Sequence, residues 1–204
     1  FRRVLFRSLA IALETLAVPD AGDPDSANAK LEGLVAAIRD GAGRRWKVGF
    51  CRTPVWERCD ADAHARMEAY VERVRAHADV VELELPAEFS QLHENHMIVQ
   101  DAGVAKELGA LAAKTPGDFS ASLYDNIKRG EAIAPARLAQ AMEYQTWAKK
   151  AMDAALAAVD VVIGLAATGE APATLDVTGD PVMQTIWTFT GTPSLRSEEH
   201  TSEL

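Results

Sequence analysis

The sequence predicts an α/β domain, helix-rich, around a small parallel sheet. Three observations point there. Two short apolar runs, Trp46-Lys47-Val48-Gly49-Phe50 and Val80 to Leu85, flank one helical stretch. Strand, helix, strand at that separation is a βαβ unit, which implies parallel strands. Further on, Val161-Val162-Ile163-Gly164-Leu165 is a continuous β-branched run, the pattern of a strand buried on both faces. Between these lie long segments with apolar residues three and four apart.

Leu9 to Val18 is apolar and rich in helix formers, and the Pro, Gly and Asp cluster from Pro19 to Asp25 ends it. Ser26 is the expected N-cap of a helix over 27–39, with Leu31, Leu34, Val35 and Ile38 on one side. Gly41-Ala42-Gly43 closes it. After the first strand, Asp60 or Asp62 caps a helix to about His77, with Tyr70, Val71 and Val74 on its buried side. Val80 to Leu85 alternates and stops at Pro86.

A helix is expected from Phe89 to about Lys114 and another, capped by Asp118, to about Arg129-Gly130. A third opens on Pro135, whose missing N–H costs nothing at a first helical position. Its expected stripe is Leu138, Met142, Gln145, Met152, Leu156 and Val159. The loop from Ala166 to Gly179 follows the β-branched run, then a short helix over 182–190 ended by Gly191. Thr192-Pro193-Ser194-Leu195 starts a further strand.

The two ends read as foreign to this pattern. Residues 1–8 (FRRVLFRS) and 196–204 (RSEEHTSEL) share no period with their neighbours and resemble translated sequencing-adapter read-through. The domain reading therefore covers 9–195, and the chain is expected to be part of a longer protein.

Composition bounds the function. The 204 residues carry 21 basic and 30 acidic side chains, a formal net charge of −9. That argues against a nucleic-acid partner, which requires a basic footprint. No apolar run reaches the length of a membrane span. Cys51 and Cys59 are too few for a disulfide framework and too far apart for a zinc pair, so both read as reduced, buried thiols of a cytoplasmic protein.

Candidate chemistry is sparse. His93-Glu94-Asn95-His96 places two histidines three apart, whereas the zincin pattern needs four, and they read as surface histidines rather than metal ligands. No Gly-x-Ser-x-Gly elbow and no phosphate-binding glycine loop occurs. No metal and no cofactor is expected. The loop after the buried run lies where ligands collect in open α/β sheets, at the carboxyl ends of strands.

The order of several pieces resembles the C-terminal portion of the amidase-signature family. Leu9-Ala10-Ile11-Ala12-Leu13 with Asp20 and Asp23 is similar to an apolar helix of that family, and Trp46 to Phe50 to one of its strands. Asp160 to Leu165 with Glu170-Ala171-Pro172 is similar to its "DvlltPt…AP" segment. Thr178-Gly179-Asp180-Pro181, Trp187-Thr188 and Gly191-Thr192-Pro193-Ser194 resemble its closing motif. Gly164-Leu165-Ala166 departs from the family's Thr-Pro after the strand.

The resemblance implies part of a central mixed sheet covered by helices. It implies a parent enzyme that hydrolyses carbon–nitrogen amide bonds in a small-molecule substrate with a Lys–Ser–Ser triad. An unassisted hydroxyl is a weak nucleophile, which is why such a relay is needed. The Gly/Ser-rich runs bearing that triad are absent from this sequence, so no catalytic residue is assigned and the chain alone is expected to be inactive. The resemblance places Ala167, Thr168, Thr185 and Trp187 at one wall of the substrate pocket. A non-catalytic α/β binding or interaction module is the alternative, and a homodimer stays open.

Overall fold

A computed structural model describes residues 10–22, 26, 33–40, 43–115 and 117–195. The chain forms two compact units, Phe1–Arg45 and Trp46–Leu204. The tails at 1–8 and 196–204, and most of the expected helix over 27–39, lie outside the described residues. In the first unit, 10–16 are helical (α1) and Leu34–Asp40 form α2. Ser26 exchanges hydrogen bonds with the Asp20 backbone, its hydroxyl accepting from the N–H at 3.0 Å and donating to the carbonyl at 3.3 Å.

The second unit holds the sheet. Its elements are β1 (Lys47–Phe50), α3 (Ala61–Arg75), β2 (Asp79–Glu82), α4 (Leu92–Lys114), α5 (Ala121–Glu131), α6 (Pro135–Leu156), β3 (Val161–Ile163) and α7 (Val182–Thr190). The strand order is β2-β1-β3. Both pairings are parallel, with Val48 opposite Val80 on one side and Val161 on the other. An α/β fold with a parallel βαβ unit is therefore observed. The described strands form no mixed sheet, because each returns through a helix-bearing crossover rather than a hairpin.

β1, the middle strand, is the apolar centre. Phe50 is fully buried and packs with Trp56, Met67 and Val71, and Val80 and Ile163 press on the same cluster. Asp160 fixes the start of the β1–β3 pair. Its N–H donates to the Lys47 carbonyl at 2.8 Å, and its carboxylate accepts the Lys47 N–H at 2.8 Å. A second core joins Phe89, Leu92, Ala148, Met152, Ile186 and Phe189 from α4, α6, α7 and the turn before α4.

Several elements fall where the sequence puts them. α6 starts on Pro135, and α7 ends at Gly191 with φ +70°, the left-handed cap that glycine adopts without steric cost. Others differ. β2 runs Asp79–Glu82 rather than 80–85, although Leu83 still donates its N–H to Phe50 at 2.8 Å. Ser120, not Asp118, caps α5 by accepting the Leu123 N–H at 3.3 Å. α4 proper begins at Leu92, preceded by a 3-10 turn over Ala87–Gln91.

The face of α6 is shifted from the expected stripe. Ala141, Ala148 and Met152 are buried while Met142 is about half exposed, because alanines admit the closest approach of neighbouring helices. Residues 192–195 form no strand, as they make no ladder pairing with another described segment.

Candidate functional site

β3 lies at the edge of the sheet, and its free side opens onto a groove of about 670 Å³. This corrects the expectation of a strand buried on both faces. Among the described residues β3 pairs on one side alone, Val161 is 48% exposed, and Val162 and Ile163 are half-buried.

Three segments wall the groove besides β3 and the residues flanking it from Leu156 to Ala166. α3 presents Met67 and Tyr70, α7 presents Gln184 and Trp187, and the chain after α7 adds 192–195. Tyr70, expected on the buried side of its helix, is 46% exposed at this rim with the Arg73 guanidinium 5.6 Å from its ring centre. Met67 and Tyr70 are three apart on α3, so one helical face presents both. Two bonds hold the N-terminal end of α7. The Asp180 carboxylate accepts the Val182 N–H at 2.9 Å, and the Gln184 side-chain amide donates to the Ala166 carbonyl at 2.6 Å. Asp180 also pairs with Arg58.

Of the four wall residues expected from the sequence, Trp187 lines the groove. The Thr168 carbonyl accepts the Asp60 N–H at 2.7 Å, so the loop is tied to the N-terminus of α3. Gly169 fits against Asp60, where a Cβ would meet the carboxylate at 1.9 Å. The Ala167 carbonyl faces the Cys59 thiol at 3.9 Å. Thr185 is buried, and its hydroxyl donates to the Val182 carbonyl of its own helix at 2.7 Å. Tyr70 was expected in the core rather than at a site, and Gln184 and the edge of β3 were not singled out from the sequence. The helical offset from Met67 to Tyr70, with Arg73 three further on, is the signal that could have found the rim.

The lining of the groove is mostly apolar. No lysine, histidine or cysteine is among the residues that line it. Two of its polar side chains are engaged: the Gln184 amide by Ala166, and the Thr192 hydroxyl by that of Thr190 at 2.8 Å. Cys51 lies one residue beyond β1 and is fully buried. Burial, and then the charge of Glu82, push its thiol up to about 11, which leaves it protonated and unreactive at neutral pH. Cys59 is raised in the same direction, by burial first and then by Asp60 and Asp180.

No protein-family model and no curated protein matches this chain.

Among the described residues, no three or more His, Cys, Asp or Glu side chains are grouped so as to hold a metal ion, and no helix is long and apolar enough to cross a membrane. The expectation of surface histidines is corrected: His96 is buried and His93 is half-buried, because α7 packs over this part of α4.

Proposed function

We propose that this chain is the C-terminal part of an amidase-signature hydrolase and supplies scaffold and one pocket wall rather than the reacting groups. The parent would cleave carbon–nitrogen bonds of a small amide substrate in the cytoplasm. The observation that carries the reading is the open edge of β3. A Val-Val-Ile run suits the interior of a sheet, yet here it borders an apolar groove with no charge, proline or bulge on the strand to block pairing. Such an edge suits a further strand of the parent fold. The ordered motifs from Leu9 to Ser194 support the amidase-signature fold for that parent, and Trp187, Gln184 and Tyr70 would face its pocket.

A non-catalytic binding module is the second reading, favoured by a largely apolar groove lined by no lysine, histidine or cysteine. The purified chain separates the two. The amidase reading expects no ammonia from simple amides, together with concentration-dependent association in size-exclusion chromatography as the β3 edge seeks a partner. A monomeric chain that unfolds cooperatively would support the module. Measured turnover would overturn the assignment of the chain as scaffold.

A further inference from the structure

Two histidines one turn apart on α4 play no part in the groove. The His96 ring meets Phe189 of α7 at a centroid distance of 5.9 Å with the planes 79° apart. His93 Nδ1 is shielded from solvent and has no hydrogen-bond partner. Phe189 is gripped from α6 as well. The Gln145 side-chain amide donates to its carbonyl at 3.0 Å, and the Tyr144 ring lies 6.0 Å from its own. The contact of His96 with Phe189 therefore belongs to the seat of α7.

The charges around this seat are few and mostly committed. α4 itself brings His93 and Glu94, and Arg137 of α6 binds Glu94 at 2.7 Å. α6 also brings Tyr144, whose hydroxyl is pushed up to about 12 by burial and then by Glu88, so it stays neutral. The turn before α4 supplies Glu88, whose carbonyl accepts the Tyr144 hydroxyl at 2.8 Å. α5 supplies Arg129, bound to Asp101. α7 carries no titratable side chain. His93 is the titratable neighbour of His96 one turn away on α4.

We propose that His93 and His96 form an acid-sensitive latch on α7: a proton taken up by His96 is placed in the buried contact with Phe189, one turn from the partnerless His93 Nδ1, and loosens the helix whose Gln184 and Trp187 wall the groove. The latch does not depend on what occupies the groove. Burial lowers the His96 imidazole below its ordinary range, a hydrogen bond with Gln100 opposes that, and His93 lowers it further. A histidine depressed in the folded state favours folding above its unfolded value of about 6.5, and that contribution is lost as the pH falls through the folded value.

Histidine titration by NMR and amide exchange, corrected for intrinsic rates, test this on the intact chain. His96 is expected to titrate below the free-histidine value. Protection in α7 is expected to fall about tenfold more than in β1 between about pH 7.5 and about pH 5. In His96→Gln that extra loss is expected to shrink below about threefold. The latch is overturned if His96 titrates at or above the ordinary value, if α7 and β1 lose protection together, or if the loss survives in His96→Gln. Should that variant fail to fold, the two wild-type readouts decide alone.

Discussion

Gly130 sits where α5 meets α4, and replacing it with alanine tests that crossing. The added methyl carbon would lie 2.0 Å from the Asp101 carbonyl oxygen, 2.6 Å from its carbon and 2.7 Å from the Ala105 Cβ. Two of those three atoms are backbone of a long helix, so no rotamer change relieves the overlap. Alanine improves helix propensity over glycine by about 1 kcal/mol. Overpacking of this severity costs about 3 kcal/mol, and moving α5 also stretches the Arg129–Asp101 pair, now 2.8 Å. The net loss is about 2 kcal/mol, which lowers the Tm of a domain this size by about 4–8 °C. Thermal melts followed by circular dichroism measure it. A Gly130→Ala chain that melts at or above the wild type would refute the close crossing, because helix propensity would then be the larger effect.

Three more outcomes follow from the same structure. Asp101→Asn removes the charge from a carboxylate that is 7% exposed beside a half-exposed Arg129; it is expected to cost about 1–2 kcal/mol in urea unfolding, and an unchanged midpoint would contradict a stabilising pair. Cys51 and Cys59 are both buried with raised thiol values, so a thiol reagent at about pH 8 is expected to label them only on unfolding, and rapid labelling of the native chain would contradict their burial. Gly191→Ala forces a side chain into φ +70°; it is expected to destabilise the end of α7 by about 1 kcal/mol, and a neutral effect would mean the cap is not left-handed in solution.

Much of the fold is legible because its signals are local. Pro135 and Gly191 set helix boundaries through their own backbone geometry. The β1–α3–β2 unit follows from the change of period around Asp60 and Ala78. What escaped depends on neighbours. Met142 and Tyr70 have the right spacing for a core, yet the faces that pack are chosen by the partner helices, which the period of one segment does not name. β3 has the composition of an interior strand and sits at an edge, since composition reports what a strand can pack against and not what is present beside it. His96 looks like a surface residue until α7 folds over it. Of the groove, Trp187 was reachable from motif order, while Gln184 and Tyr70 required the three-dimensional meeting of α3, β3 and α7.

The most direct test of the central proposal is the coding sequence upstream of the first residue. Extending the reading frame is expected to reveal a Gly/Ser-rich region carrying one lysine and two serines in the amidase arrangement. An extended frame without that region would contradict the assignment of this chain to such an enzyme.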